Sequence, residues 1–217
     1  MDRDGSIVTV TLDSPATDSA HCPLMLGALR AVGRELTGDI RVVVLQLDGP
    51  EVAPDLAPVL ADELSWLASP SVISIASLSQ PVRGAALAIA LACDLRVLSD
   101  QASLSMAGDS GELSFAGIGS LVRLVGPARA LELTATGREI SAAEAASLGL
   151  ANVVVPAAAV QAATRQLAEA ILGRSRDDVI AVKALINGAG SRSVAQQCEA
   201  ERAAQASRLC DLADTVE

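Results

Sequence analysis

The run RVVVLQL at 41–47 constrains this chain most, because it is apolar at nearly every position rather than at every second one. A strand of that kind is buried on both faces, so packed layers must lie above and below it. Its neighbours supply them. SIVTVTLD (6–13) alternates, with Val8, Val10 and Leu12 on one side and Ile7, Thr9 and Thr11 on the other, which predicts a strand. CPLMLGALRAVGRELTG (22–38) carries Leu26, Leu29, Val32 and Leu36 at helical spacing and stops at Gly38. The segment 48–58 is turn-rich, 59–68 reads as helical, and SVISIA (71–76) as a third strand. Strand, helix, strand in succession implies parallel pairing through helical crossovers, hence an α/β architecture.

The second half changes character. Ser141 with Glu144 three residues on is a capping-box pattern, and Gly149 stops the helix it opens. Pro156 suits the first turn of an Ala-rich helix running to about Leu172. Asp177 is placed to cap a helix through Ile186, and 193–212 reads as a last amphipathic helix. The chain therefore divides into an α/β core, 1–140, and a C-terminal helical region, 141–217.

Composition excludes several functions. Of the aromatic residues only Trp66 and Phe115 occur, so bases have no stacking platform, and a net charge of −10 repels a phosphate backbone. Nucleic acid is not an expected partner. The four cysteines, Cys22, Cys93, Cys198 and Cys210, form no CxxC pair, and His21 is the single histidine. No metal site is expected, and the thiols read as small buried groups in a reducing cytoplasm. No stretch reaches the roughly 18 to 20 apolar residues of a membrane span, and MDRDGS is too acidic for a signal peptide. GIGS (117–120) lacks the third glycine of a dinucleotide loop and carries no weight as one.

The stretch RGAALAIALACDLRVLSD (83–100) is the most distinctive: a run of small residues that ends in a carboxylate, Asp94, and leads into a strand. Together with RLVGPARALEL and TGREISAAEAASLGLANVVVP in that order, it resembles the crotonase superfamily, the enoyl-CoA hydratase/isomerase family. VTVTLDSPATDSA and RVVVLQLDG are similar to the family's first two strands, and the tail with Lys183 and Glu201 to its C-terminal helices. The resemblance implies a spiral of strand–strand–helix turns, with 141–217 as a trimerisation region of a homotrimer or hexamer. It implies an acyl thioester as ligand, with CoA or phosphopantetheine present only as part of the substrate and no separate cofactor.

Family chemistry passes through an enolate-like oxyanion held by two backbone N–H donors, each often contributing a few kcal/mol, while glutamates move protons. Carried over by position, the second donor falls on Ala85, in the turn Gly84–Ala85–Ala86. The first comes from a loop that typically reads like FSAGAD. Here the loop is GPEVAPDL, and with Asp55 in the place of the motif's acid the donor falls on Pro54, which has no N–H. The two family glutamates correspond to Ala88 and Gly108, neither of them acidic. Gly84, Ala88, Gly108 and Pro54 are therefore expected to line the substrate site rather than to do chemistry. The remaining acids on that wall are Glu112 and Asp109, in AGDSGELSFAGIGS, and they are the candidate catalytic pair. Arg83 is a candidate for the phosphates of CoA or of a carrier protein, and Asp94 is expected to be structural.

Two readings follow from the resemblance. One is an enzyme of lyase or isomerase type acting on an enoyl or related thioester in secondary metabolism, and not an ordinary hydratase. The other is a catalytically silent auxiliary subunit assisting a partner thioester-processing enzyme, of the kind found among crotonase paralogues of antibiotic biosynthesis.

Overall fold

The computed structural model describes residues 1–12, 22–36, 38–47, 62–108, 111 and 113–214. Their elements are β1 (Asp2–Asp4), β2 (Ile7–Leu12), α1 (Cys22–Glu35), β3 (Val42–Leu47), β4 (Ile73–Leu78), β5 (Val82–Arg83) and α2 (Gly84–Ala92). There follow β6 (Leu95–Ser99), β7 (Ser103–Ser105), α3 (Ile118–Thr136), β8 (Ile140–Ser141), α4 (Ala142–Ser147) and β9 (Val153–Val155). Three helices close the chain: α5 (Val160–Leu172), α6 (Arg176–Ala189) and α7 (Val194–Asp214).

Six strands form one sheet in the order β1-β2-β3-β4-β6-β9, and three form a smaller one, β5-β7-β8. Only β1 joins the large sheet antiparallel; the other neighbours in it run parallel. The chain alternates between the two sheets. It passes from β4 to β5 and then α2, and from β6 to β7 and then α3, each large-sheet strand followed by a small-sheet strand and a helix. This is the α/β spiral expected, with helices after it.

Strand β3 behaves as its sequence demands. Val43, Leu45 and Leu47 enter the main core, while Val42 and Val44 enter a second cluster with Ile7, Ile75 and Val97, closed by Val160 and Ala168 of α5. Among the described residues no fully buried core side chain is aromatic, and Trp66 packs on the main core as a partly buried residue. It lies across α1, where a side chain at Gly33 would sit 2.5 Å from the indole ring. Glu63, 5% exposed, pairs with Arg30 of α1 with Nε to Oε2 at 2.6 Å, fastening the same contact.

Several local expectations need correction. The third strand is shifted two residues, to Ile73–Leu78. The described part of 59–68 ends in a 3₁₀ turn, Ser65–Ala68, rather than a full helix. Pro156 precedes a separate 3₁₀ turn, Ala157–Ala159, and α5 begins only at Val160. Ser175, not Asp177, caps α6, its hydroxyl accepting from the Asp178 N–H; Asp177 lies in the first turn, where a negative charge favours the helix dipole. The cysteines do not share one environment either: Cys93 is buried, but Cys198 and Cys210 on α7 are exposed.

At α4 only half of the capping box forms. Ser141 accepts from the Glu144 N–H at 3.2 Å, but the Glu144 carboxylate turns to Arg138, with Nη2 to Oε1 at 2.7 Å. That guanidinium also holds Glu132 and keeps both carboxyls below the usual carboxylate range, through its hydrogen bonds first. Gly149 ends the helix as expected: its N–H reaches Ala146 O at 3.1 Å and the Leu150 N–H reaches Ala145 O at 2.8 Å, a Schellman pair. Ser141→Ala is expected to lower stability by about 1 kcal/mol, measured by urea unfolding, because the cap bond alone is lost.

Candidate functional site

The site is built where β5 meets α2. Arg83 is extended, with φ −135° and ψ 160°, and Gly84 then takes φ +53° before the chain coils. Only glycine enters that left-handed region at little cost. The reversal starts α2 immediately, so the N–H groups of Gly84, Ala85 and Ala86 fall in a first turn that has no preceding carbonyl to bond. The Arg83 side chain does not cap that end. The backbone of Gly108 runs alongside, its Cα 3.9 Å from where a Cβ on Gly84 would stand. The structure thus brings Gly84 and Gly108 together. A bridge between Ala107 and Leu113, and a Ser105 hydroxyl donating to Gly137 O at 3.0 Å, fix the chain on either side of Gly108.

One helical turn past Ala85 lies Ala88, 4% exposed. Gly117, with φ +77°, packs directly on it: a Cβ at Gly117 would stand 3.0 Å from Ala88 Cα and 3.1 Å from its Cβ. Gly117 opens α3, so the start of that helix rests on α2 at Ala88. A cleft of about 540 Å³ begins here and follows α2 to Ala92, Cys93 and Asp94, with Ser120 and Arg123 of α3 on its other wall. Pro54, Asp109, Glu112 and His21 lie outside the described residues.

Asp94 is structural, as expected. Its Oδ2 accepts from the Ser74 N–H at 2.8 Å, from the Ser74 hydroxyl at 2.9 Å and from Lys183 Nζ at 2.7 Å. Lys183, 5% exposed, also donates to Leu67 O and Val72 O, both at 2.7 Å, so α6 is tied to the core at one point. Arg83 pairs with Glu139. That ion pair ties β5 to the residue preceding β8. Cys93 is inert: burial pushes its thiol up to about 12.

Sequence reasoning missed Arg96, Gly117 and Arg123. Arg96 sits within β6 and is 2% exposed. It donates to Leu150 O at 2.6 Å and to Cys93 O at 2.8 Å, and desolvation lowers its pKa. A cation inside the apolar stretch LRVLS is the available signal. In the sequence Gly117 stands out only as part of a weak nucleotide-loop pattern; its value lies in the missing side chain. Among the described residues no group of three acidic, His or Cys side chains is placed to hold a metal, and no helix is long and apolar enough to cross a membrane.

Two sheets joined by repeated strand–strand–helix turns, with a run of helices behind them, define the class as a spiral α/β fold with a C-terminal helical region. Comparison with known proteins is specific. The profile of the enoyl-CoA hydratase/isomerase family matches residues 56–211. A Thermobifida fusca YX protein described as a candidate enoyl-CoA hydratase, solved in complex with CoA, superposes with a TM-score of 0.82 at 32% identity, covering 98% of this chain and 93% of that one. An Arabidopsis thaliana protein named probable enoyl-CoA hydratase 2, mitochondrial, is 30% identical over 190 residues, 77% of this chain. A Mycobacterium tuberculosis protein named probable enoyl-CoA hydratase EchA12 is 34% identical over 131 residues, 58% of this chain. The chain spans 63% and 46% of the length of these two curated relatives. The chain belongs to the enoyl-CoA hydratase/isomerase family.

Proposed function

We propose that this chain binds an acyl thioester, linked to CoA or to a carrier protein, with the thioester oxygen at the Ala85 N–H, and performs an enolate-type step other than ordinary hydration. The observation that carries this reading is the left-handed Gly84, which starts α2 beside Gly108 with no cap from the Arg83 side chain. An N–H held there by the fold stabilises a developing oxyanion without reorganising. The second half of the reading rests on Ala88 and Gly108, which supply no proton-transfer group where the family's glutamates stand. Proton transfer then falls to Glu112, with Asp109 as the neighbouring acid. Secondary metabolism, a cytoplasmic setting and assembly through 141–217 into a homotrimer or hexamer belong to the same proposal.

The test is incubation with crotonyl-CoA in deuterium oxide, followed by mass spectrometry, alongside calorimetry with the same thioester. We expect binding and deuterium incorporation into the acyl group, with water addition far slower than exchange. Glu112→Gln should abolish exchange and leave affinity unchanged. Rapid hydration would overturn the non-hydratase reading, and absence of thioester binding would overturn the whole.

One observation favours a second reading, the silent auxiliary subunit. Ala88 is buried against Gly117, so apolar packing occupies the wall where a working acid would be needed. Thioester binding without exchange, together with stimulation of a thioester-processing partner enzyme, would support it.

A further inference from the structure

We infer that the cleft beside Ala88 receives the far end of an acyl chain that bears its own carboxylate, and that Arg123 reads that carboxylate. This rests on the acyl-thioester reading above. The direction comes first. With the thioester oxygen at Ala85, the acyl carbons lie toward Ala88, where the family's first acid would act on them. The cleft continues past Ala88 to Ala92, about 10 Å along α2 from Ala85 at 1.5 Å per residue. It therefore extends the acyl side of the site and not the pantetheine side.

Charge comes second. The cleft is lined by two guanidinium groups, Arg96 and Arg123, and by one carboxylate, Asp94. Asp94 is already neutralised by Lys183 at 2.7 Å. Arg96 bonds only to carbonyl oxygens, of Leu150, Cys93 and Ala90, and its Nη2 has no acceptor among the described residues. Arg123 donates from Nη2 to the Ser120 hydroxyl at 2.9 Å and pairs with no carboxylate among the described residues. Gly119 adds no side chain between them; a Cβ there would approach Arg123 Nη1 to 3.9 Å. The cleft is thus cationic in a chain of net charge −10.

A plain alkyl chain can pack on Leu64, Leu91 and Leu124 of that cleft but leaves the Arg123 guanidinium without a counter-charge. A carboxylate matches it, because guanidinium presents paired donors to two oxygens and Ser120 supplies a hydroxyl beside them. The substrate class is therefore an ω-carboxyacyl thioester.

The probes are suberyl-CoA, octanoyl-CoA and CoA alone, titrated by calorimetry into the full chain and into Arg123→Gln and Arg123→Lys. The native chain is expected to bind suberyl-CoA about tenfold or more tightly than octanoyl-CoA, the usual effect of one charged hydrogen-bonded contact. Arg123→Gln should erase that preference and leave octanoyl-CoA unchanged, while Arg123→Lys keeps part of it. Equal binding of the two thioesters would overturn the inference and leave the thioester reading standing. An equal loss for all three probes in Arg123→Gln would assign Arg123 to CoA phosphates and overturn it too. Failure of every probe to bind would remove the thioester reading, and this inference with it.

Discussion

Asp94→Ala is expected to destabilise the protein by about 3–4 kcal/mol, the lower part of the usual cost of stripping one partner from a buried ion pair, because Lys183 is 5% exposed but Asp94 25%. The substitution leaves Lys183 as a buried ammonium held only by Leu67 O and Val72 O, and takes the acceptor away from the Ser74 N–H and hydroxyl. Lys183→Met should cost less, because the Asp94 carboxylate keeps both Ser74 donors. The double variant Asp94→Asn/Lys183→Met should be closer to native than Asp94→Ala, since it leaves no uncompensated charge. Urea unfolding measures all three. The fluorescence of Trp66, the single tryptophan, reports locally, because it adjoins Leu67, whose carbonyl accepts from Lys183. A loss below about 1 kcal/mol for Asp94→Ala would show that water replaces the lost bonds and that the clamp is weak.

Gly117→Ala has the next largest expected effect, about 2–4 kcal/mol, from a left-handed backbone and an overpacked neighbour together. The added methyl would stand 3.0 Å from the Cα of Ala88, which is backbone and cannot rotate away. Relief requires α3 to lift from α2, which reshapes the cleft and shifts Ala88. In an Ala88→Gly background the penalty should fall without vanishing. That change removes the methyl at 3.1 Å, but the backbone of residue 88 still crowds the new side chain and φ is still positive. Unfolding measurements on the four-member cycle give the coupling. Additive losses would mean that the two helices do not press on each other there.

How far the sequence disclosed this molecule can be judged from individual residues. The parallel α/β layering was legible because β3 is apolar on both faces and β2 alternates, patterns with different burial requirements. The turn at Gly84 was reached only through the family resemblance, because a run of small residues before Asp94 does not by itself specify a left-handed start to α2. The cap of α6 was misread: Ser175 and Asp177 are both competent caps, and only the backbone decides which one precedes the first turn. The shared clamp of Lys183 and Asp94 joins residues 89 positions apart, a pairing that local spacing does not disclose. The same holds for Gly117 against Ala88, and for the cationic wall formed by Arg96 from a strand and Arg123 from a helix. The exposed positions of Cys198 and Cys210 on α7 also depend on how that helix packs, which a weakly amphipathic sequence does not specify.

The clamp also bears on how the chain is made. During synthesis Asp94 leaves the ribosome 89 residues ahead of the lysine that neutralises it. At about 5–20 residues per second, that gap lasts several seconds or longer. Over that interval the strands on either side can pair, but the carbonyls of Leu67 and Val72 have no cation to converge on. The nascent sheet is therefore finished from behind. The contact that joins Leu67, Val72 and Asp94 forms only once α6 has been made.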